Sequence, residues 1–161
     1  MVKQTQAHVT LSIEAQKTLL QDVEQRRHIE ACGVLIGRID EQGNWHIEQA
    51  HPLRNTFDSP VYFEFAPEEL LEADLTYPGQ IVGVYHSHPT GFAGASNTDR
   101  RNMQHVNVEQ EIPWVWLIVR GPFRNIPSLL HKGHIGCSSI LAYHHYAQEG
   151  LRRIPIEVEE E

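Results

Sequence analysis

Two histidines one residue apart, His86 and His88, close the run Gly83-Val84-Tyr85-His86-Ser87-His88-Pro89. In an extended strand residues i and i+2 share a face, so the two imidazoles would stand side by side. Pro89 has no N–H with which to continue a sheet ladder, so the pair falls at the end of its strand. Seven residues follow, Pro89 to Ala95, and then Ser96-Asn97-Thr98-Asp99. That segment reads as a helix start, with Asp99 in the first turn and able to fold back toward the histidines. Two imidazoles and a carboxylate leave a tetrahedral zinc ion one open position for water. This is the composition of a catalytic zinc site. Each part has a plainer reading by itself: His-x-His as surface or core polarity, Ser-x-x-Asp as a capping box. Ligand and cap compete for Asp99, because one carboxylate cannot point fully both ways. The conjunction of the two motifs, at a strand end and across one short loop, is what points to metal.

Hydrolysis with such an ion also needs a general base. Glu30 stands near the C-terminal end of the first expected helix, where the macrodipole disfavours an anion. It leads into Ala31-Cys32-Gly33-Val34-Leu35-Ile36-Gly37, a helix stop running into a buried strand. A carboxylate placed at local cost is a candidate for function, although an end-of-helix Glu is ordinarily solvated.

These residues need elements to hold them. The sequence predicts a short strand at 9–13, and a helix over 13–29 capped by Ser12 with Leu19, Leu20 and Val23 on its apolar stripe. Strands follow at 33–39 and 45–53, joined by the turn Glu41-Gln42-Gly43-Asn44. A short strand at 61–65 and a helix opened by Pro67 and closing near Tyr77 come next. The strand at 80–86 carries the strongest signal, then a helix from Ser96 to about Val106, a buried strand at 114–119, and two final strands at 140–146 and 151–158. The expected fold class is α/β of the α+β type, a mixed sheet flanked by helices. One domain over 1–161 is expected, with 121–161 weakly patterned and ending in an acidic tail.

Composition narrows the function. There are 13 Lys+Arg against 21 Asp+Glu, a formal charge of −8, which opposes nucleic acid and anionic membrane surfaces as partners. No run approaches the ~18–20 apolar residues of a membrane span. The first residues, MVKQTQAHVTLSIEAQ, hold no apolar core of a signal peptide, so a cytoplasmic location is expected. Two cysteines, Cys32 and Cys137, make no disulfide framework, and Cys32 reads as a small buried filler rather than a nucleophile. Histidine is abundant, 11 in 161 residues. His131, His134 and Cys137 form a weak second metal pattern that lacks a fourth ligand nearby, and His144-His145 would diverge on a strand.

Taken together, Glu30 with its Gly-containing strand, then His86-Ser87-His88-Pro89, then Ser96-x-x-Asp99, resemble the JAMM/MPN+ zinc metalloprotease family. The resemblance spans roughly residues 9 to 120, and the positions of Asn55, the Phe63/Phe65 stretch and the 114–119 strand fit it. It implies a cytidine-deaminase-like MPN/JAMM fold with His86, His88 and Asp99 as ligands of one zinc ion. It implies Glu30 as proton shuttle and Ser96 as a donor to the oxyanion of the tetrahedral intermediate. Ala95 departs from the proline that many members carry there. The chain is similar to compact prokaryotic stand-alone members. Those are associated with ubiquitin-like and sulfur-carrier proteins ending in Gly-Gly, from which they remove an attached residue or amine. Two other functions stay open: a non-catalytic MPN scaffold that binds partners, and a zinc amidohydrolase of small peptides. The resemblance leaves oligomeric state undetermined.

Overall fold

The computed structural model describes residues 6–123 and 139–160. Eight strands form one mixed sheet: β1 (Val9–Leu11), β2 (Cys32–Ile39), β3 (Trp45–Leu53), β4 (Ile81–His88), β5 (Val115–Arg120), β6 (Ile140–Tyr146), β7 (Gly150–Ile154) and β8 (Ile156–Val158). Their order is β7-β6-β5-β4-β2-β3-β1-β8. Strands β4 and β5 run parallel, as do β1 with β3 and β1 with β8; the remaining pairs are antiparallel. The expected mixed sheet with flanking helices is what forms.

Helix α1 (Ile13–Gln25) buries Leu19, Leu20 and Val23 on one face of the sheet, against Tyr85 and Leu117. Helices α2 (Pro67–Thr76) and α3 (Asn97–Gln104) cover the other face, where Ala73 and Met103 pack with Val34, Val84, Trp116 and Ile118. Strand alternation assigns the residues of β4 between these layers. Tyr85 belongs to the α1 side and Val84 to the α3 side, so His86 and His88 face α3. Among the described residues no helix is long and apolar enough to cross a membrane.

Three expectations need correction. Helix α1 stops at Gln25 rather than near residue 29, in turns closed by Arg26 N–H to Asp22 C=O and Ile29 N–H to Arg26 C=O. Glu30 is therefore not in a helical last turn, and the macrodipole does not explain it. Residues 61–65 form no strand. Only an isolated bridge joins Asn55 to Phe65, because the Asn55 side chain takes the backbone bonds a ladder would use. The single final strand is two: Pro155 has no N–H to donate, and the chain changes partners there. β7 pairs with β6 at one sheet edge and β8 with β1 at the other. The sheet curls until its two edges meet at this segment.

The end of α1 is tied to the sheet by a polar brace. Arg26 holds Asp22 through two bonds of 2.7 Å and also donates to the carbonyls of Leu53 and Cys32. Tyr85 donates its hydroxyl to the same Asp22 at 2.6 Å. Burial pushes the Tyr85 phenol well above its usual range, so it remains a donor. Gly33 lies beside this ring, and a Cβ there would run into the His51 carbonyl and the Tyr85 ring.

Tyr85→Phe should cost about 1–3 kcal/mol, the usual consequence of removing one donor from a buried acceptor. Arg26→Met should cost at least as much, since it leaves a buried carboxylate short of its cation. Urea denaturation with an unchanged m-value is the measurement. Losses under about 0.5 kcal/mol would mean the brace is not a stabilising element.

Candidate functional site

Four side chains meet where β4 ends. His86 and His88 bring their Nε2 atoms to 3.2 Å from each other. Asp99, in the first turn of α3, reaches both: Oδ1 lies 3.2 Å from His86 Nε2 and Oδ2 3.1 Å from His88 Nε2. Glu30, between α1 and β2, stands farther off, with Oε1 3.9 Å from each of the two Nε2 atoms. All four residues are buried.

The loop after Pro89 orients His88. Its Nδ1 lies 3.2 Å from the Phe92 carbonyl, and a carbonyl can only accept, so Nδ1 carries the proton. Gly91, at φ 87°, makes the turn that returns this loop, with its N–H donating to the His88 carbonyl. Phe63 stacks on the His86 ring with centroids 4.4 Å apart and planes 21° apart. Ser96 and Asp99 do form the capping box: the Asp99 N–H donates to Ser96 Oγ at 3.1 Å, and the Ser96 N–H donates to Asp99 Oδ2 at 3.0 Å. Cap and imidazole contact thus coexist, because a carboxylate has two oxygens and several lone pairs. The expected competition for Asp99 is resolved by geometry.

These donors fit a cation. With Nδ1 protonated, a neutral His88 presents an Nε2 lone pair to a carboxylate oxygen and to a second imidazole, a repulsive arrangement. Either a second proton or a cation relieves it. Donors about 2.0–2.1 Å from one tetrahedral ion stand ~3.3 Å from each other. The three separations of 3.1–3.2 Å are close to that. Glu30, His86 and His88 also each offer one ligand atom, all within 4.8 Å of one another, as a group able to hold a metal ion. Asp99 is nearer the two imidazoles than Glu30 is.

The two carboxylates have opposite electrostatics. Burial raises Glu30 from 4.5 to about 7, Asp99 adds to that rise, and His88 only partly offsets it. Burial would also raise Asp99, but its bonds to His86 and His88 prevail and hold it well below the usual carboxylate range. Burial lowers His86. It would lower His88 too, but the bond to Asp99 prevails and raises it.

Residues without an assigned role supply the framework. Ser87, between the two histidines, accepts the Ala31 N–H at 2.8 Å. Asn55, fully buried, donates to the Glu30 carbonyl at 3.0 Å. In the sequence Asn55 stands out only as a position that fits the family resemblance, with nothing nearby to betray the contact. Burial pushes the Cys32 thiol up to about 12, in keeping with a filler rather than a nucleophile. His144 is buried with Nδ1 2.8 Å from the Trp114 carbonyl, away from the site. His131, His134 and Cys137 lie outside the described residues.

A family model described as prokaryotic homologs of the JAB domain matches residues 12–129. Two archaeal proteins named desampylase are similar. The one from Haloferax volcanii is 34% identical over 104 residues, covering 60% of this chain and 73% of its own length. The one from Pyrococcus furiosus is 34% identical over 95 residues, covering 56% and 59%. The tail tip assembly protein K of Escherichia phage lambda is 36% identical over 88 residues, 49% of this chain and 41% of its own. The chain thus spans less than half of that phage protein. A Desulfitobacterium hafniense protein of known solution structure superposes with a TM-score of 0.68 at 25% identity, over 95% of this chain and 94% of the other.

Metal affinity should fall with pH, since a cation must displace the proton held by His88 and benefits from an ionised Glu30. The sign follows from the two directions: the bond to Asp99 favours a proton on His88, and Glu30, raised to about 7, takes up its proton as pH falls through neutrality. Competition with a chromogenic chelator for Zn²⁺ should show affinity dropping by ~10-fold or more per pH unit below about pH 7. A flat profile from pH 8 to 5.5 would exclude His88 as a ligand.

Proposed function

The chain belongs to the family of prokaryotic JAB-domain homologues, and we propose that it is a zinc-dependent hydrolase. Its reaction is cleavage of an amide bond after the C-terminal Gly-Gly of a ubiquitin-like or sulfur-carrier protein. The observation that carries this reading is the convergence of His86, His88 and Asp99, with Glu30 set back from them at 3.9 Å. The two relatives named desampylase support the substrate class.

His86, His88 and Asp99 would hold the zinc ion. When bound, zinc supplies a Lewis acid that polarises the scissile carbonyl and lowers the pKa of water. Glu30 Oε1 accepts a proton from the attacking water and delivers it to the leaving nitrogen. Its displacement toward neutral pH suits a group that must both take and return a proton. Ser96 Oγ already accepts from the Asp99 N–H, which leaves its own hydroxyl proton free to point at a developing oxyanion. The reaction needs no side-chain nucleophile, so no acyl-enzyme forms. A cytoplasmic location belongs to the same proposal.

A relative named for tail tip assembly prompts one alternative, a partner-binding domain. The two readings separate on turnover. A sulfur-carrier protein extended by a short peptide past its Gly-Gly is incubated with enzyme and zinc, and the release of the extension is followed by mass spectrometry. Cleavage should stop with a chelator and survive thiol-blocking reagents. Glu30→Gln should keep zinc and lose most turnover; His88→Ala should lose both. Ser96→Ala should lower turnover by ~10²–10³ if Ser96 donates to the oxyanion. Zinc binding without cleavage of any such carrier would favour the binding domain. Cleavage of unrelated short peptides alone would favour a small-peptide amidohydrolase.

A further inference from the structure

We propose that Asn55 is a positioning residue that fixes where the Glu30 carboxylate stands. The inference rests on the reading of Glu30 as proton acceptor.

Among the described residues no hydrogen bond orients the Glu30 carboxylate itself; its polar neighbours are the two imidazoles at 3.9 Å. Its position therefore follows from its backbone, and that backbone is held on every polar atom. The Glu30 N–H donates to the Ser59 carbonyl at 2.7 Å, and the Glu30 carbonyl accepts from Asn55 Nδ2 at 3.0 Å. The Ala31 N–H donates to Ser87 Oγ at 2.8 Å, and the Ala31 carbonyl accepts from the Ser87 N–H at 2.9 Å. Two anchors come from segment 55–59 and two from Ser87, which lies between the site histidines.

Asn55 uses all of its hydrogen-bonding capacity. Nδ2 donates also to the Tyr62 carbonyl at 2.9 Å, while Oδ1 accepts the N–H groups of Phe57 at 3.0 Å and Glu64 at 3.1 Å. An asparagine that only shaped its own loop would spend all four bonds there; one goes to Glu30. The same loop carries Phe63, which stacks on His86. The loop thus references Glu30 to one of the rings it must serve. A shift of about 1 Å in a reacting group can cost ~10²-fold in rate.

The test is a double-mutant cycle with Glu30→Gln, using a sulfur-carrier protein extended past its Gly-Gly. Asn55→Ser, whose hydroxyl is too short to reach Glu30, should lower kcat by ~10–100-fold. KM and zinc affinity should stay within about twofold, since no bond joins Asn55 to His86, His88 or Asp99. In the Glu30→Gln background the same change should alter residual turnover by less than about twofold. A second reading needs no zinc: in the metal-free protein, amide exchange at Glu30 and Ala31 should quicken at least ~10-fold while α1 amides keep their protection. Asn55→Asp keeps the acceptor bonds to Phe57 and Glu64 but turns an anionic oxygen toward the Glu30 and Tyr62 carbonyls, so its kcat loss should be at least as large as that of Asn55→Ser. Equal losses in both backgrounds, or zinc loss in step with activity, would overturn the proposal. So would failure of both Asn55 variants to fold, which would assign the residue to stability. Near-normal turnover of Glu30→Gln is a different result: it would remove the proton-acceptor role itself.

Discussion

The Asp99 carboxylate is the point on which the site turns. It is buried, it touches both imidazoles of β4, and it caps the helix that carries it. A buried anion is costly unless positive or donor groups surround it. Here the donors are the Ser96 N–H, at the start of α3, and whatever proton or cation the two histidines share. The constraint works in both directions. Asp99 holds the start of α3 against the end of β4, and the Ser96 cap fixes the turn from which Asp99 projects.

The rest of the fold follows from keeping that junction in place. Strand β4 is central, flanked by β2 and β5, so its end is held from both sides. The loop from Pro89 returns through Gly91 and leaves the Phe92 carbonyl facing His88 Nδ1. From the other side of the sheet, the brace of Asp22, Arg26 and Tyr85 anchors the end of α1, five residues before Glu30. Tyr85 and His86 are neighbours on opposite faces of one strand, so brace and site share a backbone.

Glu30 and Asp99 are the same functional group with different futures. Asp99 is saturated with partners and stays ionised. Among the described residues the Glu30 carboxylate has burial without hydrogen bonds, and it moves to about 7. Such a division of two acids by environment is the usual way a site separates a fixed anion from a mobile proton carrier. It is written in backbone placement, since among the described residues no hydrogen bond holds the Glu30 carboxylate as an anion.

The local chemistry was legible from residue order. His86, His88, Ser96 and Asp99 lie within 14 residues, and strand alternation plus a capping motif suffice to bring them together. The apolar stripe of α1 and the buried runs of β2, β4 and β5 were legible for the same reason, as each is a periodic pattern within one element. What the sequence could not decide is everything that depends on a distant partner. The end of α1 at Gln25 depends on Asp22 and Arg26 finding Tyr85 and the carbonyls of Leu53 and Cys32. The missing strand at 61–65 depends on Asn55 taking its backbone bonds, and the split at Pro155 on two sheet edges meeting. The approach of Glu30 to histidines 56 and 58 residues later is of this kind too. Period and spacing are properties of a segment, whereas a hydrogen bond across 25 or 56 residues exists only once the chain has closed on itself.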